Sequence, residues 1–194
     1  MKKFSKLKII VSVIVIVIVF FFSLYYANPL ARRGKLNISG FMYFLMSHIT
    51  NNSNNIAMMA YYAYNYSEND QDLEDYSIGL FSKSARGGDY ESKNFLGAYY
   101  IFKKNDTAKG LKILEELNTI GYPPSKYVLG IYYILKEGKN KEGLALLKES
   151  EAGRFKPAHL LLESLNKGMD IKEVEKSLDE WVLGKSDPAI EFGL

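Results

Sequence analysis

The chain has 194 residues, 47% of them hydrophobic and 14% aromatic, which excludes a disordered chain and leaves room for one ordinary domain plus an appendage. It has no cysteine, which excludes disulfides, thiolate metal sites, a cysteine nucleophile and a lipid-modified cysteine anchor. Six of the 25 cations lie in residues 1–34, which hold no acid; the remaining 19 face 22 acids, a balance of −3 that excludes a body built to hold nucleic acid.

The N-terminus reads first as a basic segment, 1–8, with Lys2, Lys3, Lys6 and Lys8. Ile9 to Tyr26 follows, 18 residues without a charge. As a helix at about 1.5 Å per residue it would span about 27 Å, close to the hydrocarbon thickness of a bilayer. A single transmembrane helix over 9–26 is therefore expected, with Tyr25 and Tyr26 at the far interface. A cleaved signal peptide is the alternative. The run exceeds the usual h-region, and no good small-x-small site follows, since bulky Tyr25 stands two before Ala27 and Pro29 two before Ala31. The positive-inside rule places the N-terminus in the cytoplasm and the body outside it. For a bacterial inner membrane that is a single-pass protein with a periplasmic body. Residues 27–38 are a linker.

Residues 39–78 read as N-terminal helices with a degenerate repeat. "ISGFMYFLMSHIT" is one extra helix, whose Phe41, Met42, Phe44, Leu45 and Met46 would cap the body near the membrane. "NNIAMMAYYAYNYS" and "DLEDYSIGLFSKSARG" are expected to form the first pair.

The repeat proper runs over 79–184. "FLGAYY" ends at Tyr100 and "VLGIYY" at Tyr133, a period of 33 residues. Gly97 and Gly130 keep it, as do Ser92, Ser125 and Ala158, where a small residue suits two closely approaching helices. Gly88 and Gly121 suit the turn entering each first helix, and in the third copy Gly153 is expected to take that place. A second series, Gly79, Gly110 and Gly143, is spaced 31 and 33. Leu111, Leu114 and Leu117 with Ile113 and Ile120 read as an apolar stripe at helical spacing, as do Leu144, Leu146 and Leu147. Pro123, Pro124 and Pro157 suit helix starts, and Asp106 an N-cap. Helix pairs are expected at 91–120, 124–152 and 156–184, stacking because one pair alone cannot bury its apolar face. Residues 185–194 read as a C-terminal tail; this end of the chain either caps the last repeat through Trp181 and Ile190 or acts as a docking peptide.

"GDYESKNFLGAYY" and "GYPPSKYVLGIYY", followed by "KGLKILEELNTIG" and "EGLALLKESEAGRFKPA", resemble Sel-one-like repeats, relatives of tetratricopeptide repeats. Gly88, Ser92, Leu96, Gly97 and Tyr100 match that family's pattern, and so do Gly121, Ser125, Leu129, Gly130 and Tyr133. Ala158 and Leu162 belong to a weaker third copy, in which Glu163 replaces the glycine. The resemblance implies an all-α, helix–turn–helix repeat solenoid, here preceded by the single membrane helix.

No catalytic constellation is visible. His48 and His159 read as packed or surface residues, with no paired spacing for zinc and no nucleophile, Walker or dinucleotide motif. Glu115–Glu116 and Asp179–Glu180 are sequence neighbours on solvated faces. No metal and no cofactor is expected. The tyrosine pairs are more informative. Adjacent helical residues differ by about 100°, so at most one of each pair points straight into the core. The family pattern makes Tyr100 and Tyr133 the core members. Tyr62, Tyr99 and Tyr132 would then form a row on the concave face and anchor a protein partner. The alternative is that both tyrosines of each pair are structural.

The resemblance to Sel-one-like repeats, with the uncharged run before it, implies a membrane-anchored extracytoplasmic protein-binding module and not an enzyme. What is known of that family makes an immunity or antitoxin role toward a secreted effector one expected form of it, and an envelope signalling or secretion-system adaptor another. A cell-wall or β-lactam hydrolase is a third reading, for which neither a nucleophile with its base nor opposed carboxylates is evident. A structural protein that assembles through its span is a fourth, for which the span lacks a small-xxx-small motif.

Overall fold

The computed structural model describes residues 2–170 and 173; within the first helix, the side chains of residues 2–10 and 24 are outside the description. The expected tail 185–194, Trp181, Ile190 and the second helix of the third pair lie outside the described residues. Among the described residues every regular element is a helix: α1 (Lys2–Ala27), α2 (Pro29–Arg32), α3 (Ile38–Ile49), α4 (Ser53–Asn65), α5 (Gln71–Arg86), α6 (Tyr90–Phe102), α7 (Thr107–Thr119), α8 (Pro123–Leu135), α9 (Asn140–Ala152) and α10 (Lys156–Asn166).

Local chemistry starts these helices. Asp70, Asp89 and Asp106 each accept a hydrogen bond from a first-turn N–H, at Leu73, Ser92 and Lys109 respectively. Asn37 and Asn52 do the same for α3 and α4. Helices α8 and α10 start with Pro in the first turn instead, where the missing N–H has no helical partner to lose.

The helices pack as antiparallel pairs, α4 with α5, α6 with α7 and α8 with α9, and each pair packs on the next. The pairs expected at 91–120 and 124–152 are α6–α7 and α8–α9, and α10 opens the third. Each crossing of the two central pairs is made by two glycines. A Cβ on Gly97 would stand 2.6 Å from Leu114 Cγ, and one on Gly130 would stand 2.9 Å from the Gly143 carbonyl oxygen. Leu114 and Leu147, one period apart, fill the space beside them and are fully buried. Ser92, Ser125 and Ala158 are buried, as are Leu96 and Leu129. A second cluster, with Leu30, Phe44, Met59 and Leu73, closes the N-terminal end, where α3 packs on α4.

Two expectations about glycine need correction. Gly79 does not belong with Gly110 and Gly143: it is exposed, and a Cβ there would meet nothing within 4 Å. Buried Ser77, 33 residues before Gly110, takes that place. The turn residue of the third copy is not Gly153 but Arg154. Gly88, Gly121 and Arg154 share the period and have φ of 95°, 76° and 64°. Gly153 ends α9 with an ordinary φ of −75° and is small for another reason, since its Cβ would stand 2.5 Å from Pro123 Cγ.

The expected span 9–26 lies within α1. Among the described residues no helix is long and apolar enough to cross a membrane. Within α1 the side chains of residues 11–23 are described without a break. All of them are exposed, Val11 to Phe22 included.

Candidate functional site

The paired tyrosines sit near the C-terminal ends of α4, α6 and α8, along one edge of the stack. Their orientation is the reverse of the expectation. Tyr62, Tyr99 and Tyr132 are 8%, 2% and 5% exposed, whereas Tyr100 and Tyr133 are half-buried. They therefore form no exposed concave row. The reason is that a middle helix of the stack is covered on more than one side. One side of α6 meets α7 at Gly97, and the others meet α5 and α8. The Tyr99 ring lies over Phe95 (centroids 6.3 Å, interplanar angle 14°), in the aromatic layer shared with the preceding pair. Phe81 and Phe95 stack at 3.9 Å in that layer.

Only the hydroxyls of the buried tyrosines reach the edge, and each finds a partner there, as buried phenols do. Tyr62 donates to the Lys35 carbonyl oxygen at 2.8 Å and accepts from the Asn37 N–H at 3.1 Å, which ties the linker to α4. Tyr99 donates to Glu74 of α5, across the boundary between pairs. Tyr132 donates to Glu137 Oε1 at 2.6 Å. A lysine completes each of the last two clusters: Lys104 Nζ is 2.9 Å from Glu74 Oε1 and Lys139 Nζ is 3.2 Å from Glu137 Oε2. The half-buried rings carry lysines as well. Lys109 stands 3.8 Å above the centre of Tyr100, and Lys139 5.4 Å from that of Tyr133.

These contacts set the ionisation of the edge. Burial, with the Glu74 carboxylate beside it, pushes the Tyr99 phenol up to about 12. The bond to Glu137, together with burial, does the same for Tyr132, and burial raises Tyr62 to about 12. Glu74 is pushed up by burial, but the bonds from Tyr99 and Lys104 outweigh it and hold the carboxyl below its ordinary value. Glu137 is lowered by Tyr132 and Lys139. Carboxylates held as anions in this way suit fixed ion pairs and not proton donation.

At the N-terminal end of the same edge, Arg33 forks onto two acids. Its Nε and Nη2 donate to Asp70, and Nη2 also reaches Asp72 Oδ2 at 2.8 Å. Asp70 is at once the N-cap of α5, so one carboxylate fixes the helix start and the linker. An open cleft of about 520 Å³ lies here, lined by Arg33, Lys35, Asn65, Tyr66, Glu68 and Asp70 among others.

The histidines lie elsewhere. His48 Nδ1 is 2.8 Å from the Phe44 carbonyl oxygen, and its ring packs on Phe44. His159 Nδ1 is 2.7 Å from Glu151 Oε1 at the surface. Among the described residues no group of three or more His, Asp or Glu side chains is placed to hold a metal ion.

Reading the sequence by its period misses Glu74, Lys104, Glu137 and Lys139. Positions 104 and 137 are one period apart and carry opposite charges, so no repeated letter marks them. For Lys104, Glu137 and Lys139 the usable signal is a charge four to six residues after the tyrosine pair, of either sign; Glu74, 25 residues before Tyr99, carries none.

No family model matches the chain, and no curated protein or solved structure matches it.

Proposed function

We propose that the chain is a Sel-one-like repeat protein that binds a protein partner outside the cytoplasm while α1 tethers it to a bacterial inner membrane. The observation that carries this reading is the repetition itself. Helix pairs of one period, the two central ones each locked by two glycines, build an extended stack whose surface grows with every copy, and such stacks serve as binding platforms. The 18 uncharged residues Ile9–Tyr26, preceded by four lysines, support the tether and its orientation. The partner-facing residues are the half-buried Tyr100 and Tyr133 with Lys109 and Lys139, because the tyrosines beside them are in the core. Aromatic rings under cations suit a partner surface that brings carboxylates to the lysines and apolar groups to the ring edges.

The test is photo-crosslinking in cells. A benzoyl-phenylalanine replaces Tyr100 or Tyr133 in the full chain, and Glu115 on the outer face of α7 serves as the control. A single product formed from 100 and 133 but not from 115 supports the reading, and the identity of that product separates an effector held by an antitoxin from an envelope protein held by an adaptor. Equal labelling at all three positions, or none, refutes the binding edge.

A further inference from the structure

Helix α3 carries a second surface that the stack does not use. Gly40, Phe44 and Ser47 bury one side of it against α4. The opposite side shows Ile38, Met42, Met46 and Ile49, which are 85%, 48%, 38% and 68% exposed. At about 100° per residue these four fall within one stripe about 80° wide, and half-buried Leu45 and Phe41 extend it on one flank. From Ile38 to Ile49 the helix has no Asp, Glu, Lys or Arg. The outer faces of α7 and α9, by contrast, carry Lys112, Glu115, Glu116, Lys141, Glu142 and Lys148. A helix face turned to water is normally charged or polar, and that of α3 is neither.

The neighbouring element identifies what covers it. Phe41, at the flank of the stripe, meets Tyr25 of α1 with ring centres 6.0 Å apart. Phe21, Phe22, Tyr25 and Phe41 together wall an entirely apolar hollow of about 240 Å³. The stripe is thus continuous with the apolar, exposed side chains that α1 shows over residues 11–22. The junction at Phe21 and Phe22 lies one to two turns before the end of α1, about 8 Å along its axis. With α1 read as the tether and its end set at the headgroups, that distance equals the depth at which amphipathic helices lie in the boundary between headgroups and acyl chains.

We infer that α3 is an interfacial helix: its Ile38–Met42–Met46–Ile49 stripe lies in the surface of the lipid bilayer beside α1 and holds the repeat stack against the membrane. The inference rests on reading α1 as the membrane tether. It implies that the stack does not swing on a free linker but stands at a fixed height and orientation.

The absence of cysteine makes the test clean, because any introduced thiol is unique. Met46→Cys and Ile49→Cys in the full chain are labelled with an environment-sensitive dye and reconstituted into phosphatidylcholine vesicles with or without brominated acyl chains. Val15→Cys reports on α1, and Glu115→Cys on water. The expected result is blue-shifted emission at 46 and 49 that brominated lipid quenches severalfold more than at 115. Adding Met42→Glu, with helical circular dichroism retained, removes the quenching at 49. If 15 is quenched while 46 and 49 behave like 115, α3 is not interfacial and the tether stands. Blue-shifted emission at 46 and 49 without lipid quenching shows a protein cover, such as a second copy, and overturns the inference. If 15 is not quenched either, the tether itself is refuted and the inference falls with it.

Discussion

The carbonyl oxygen of Gly97 lies 2.6 Å from the point where a Cβ on Gly110 would stand. Thirty-three residues on, Gly130 and Gly143 repeat the relationship at the same 2.6 Å. Real Cβ atoms do not approach a backbone oxygen so closely, so these two pairs, α6–α7 and α8–α9, cross at a distance that only glycine permits. Gly110→Ala also drives its methyl group to 2.4 Å from Ile101 Cγ1, a side chain itself buried and stiff. The better helix propensity of alanine, about 1 kcal/mol, offsets only part of the overpacking. The expected net loss is about 1–3 kcal/mol in thermal or urea unfolding followed by circular dichroism. Gly79→Ala is the control. With open space around it and a helical backbone, it should stabilise by about 0.5–1 kcal/mol.

The end of α9 separates two reasons for a small residue. Arg154 stands in the left-handed region at φ 64°, where its repeat mates are Gly88 and Gly121. A side chain there costs about 1–2 kcal/mol, partly offset by the greater freedom of an unfolded glycine. Arg154→Gly should therefore raise stability by about 0.5–1 kcal/mol. The preceding residue, Gly153, has an ordinary φ but faces Pro123 at 2.5 Å. Gly153→Ala should destabilise by about 1–3 kcal/mol, because the proline ring at the start of α8 has little room to retreat. The opposite signs at two adjacent residues are measurable by comparing midpoints of denaturation at constant slope.

Tyr99 joins two consecutive pairs through one hydroxyl. Tyr99→Phe leaves the ring stacked on Phe95 and removes the donor to Glu74, which keeps Lys104 as a partner. A bond to a charged group is worth about 1.5–3 kcal/mol, and the remaining lysine places the expected cost at about 1–2 kcal/mol. Tyr99→Ala also empties the aromatic layer and should cost about 3–5 kcal/mol. If the tyrosine were a surface anchor, both substitutions would leave stability unchanged and weaken partner capture instead.

The architecture was legible because its determinants recur. Gly97 and Gly130, or Gly88 and Gly121, are each demanded by one geometry repeated one period later, so the sequence repeats wherever the backbone does. Asp106 was readable as a cap because its chemistry is local. The orientation of the tyrosine pairs was not legible. Whether Tyr99 or Tyr100 is buried depends on how α5 and α8 lie against α6, and two adjacent tyrosines offer no difference in polarity to decide it. The edge clusters were hidden for another reason: Glu74 reaches Tyr99 from an element 25 residues upstream, whereas Glu137 reaches Tyr132 from its own loop. The same bond is made from two unrelated positions, which leaves no periodic trace. Gly79 misled because it mimics the spacing of its series while standing on the outer face of α5.

The edge clusters also predict how stability varies with pH. Tyr62, Tyr99 and Tyr132 are raised to about 12 in the folded chain, against about 10 for an unfolded tyrosine. Between these values the unfolded chain releases protons that the folded chain retains. Their contribution is therefore fully present below pH 10 and is lost as pH rises through about 12. Glu74 behaves in the opposite sense. Its folded value lies below the ordinary carboxylate value, so its contribution is present above that value and is lost as pH falls through the lower folded one. Absorbance titration of tyrosinate should show a class ionising near 12 in the native chain that moves to about 10 in denaturant, and Tyr99→Phe should shrink that class. In the same variant the acid limb of the stability curve should become shallower, because Glu74 has lost the neighbour that lowers its affinity for a proton. A native titration with every tyrosine ionising near 10 would show that the three hydroxyls are not held in the edge, and the ion-pair clusters with them.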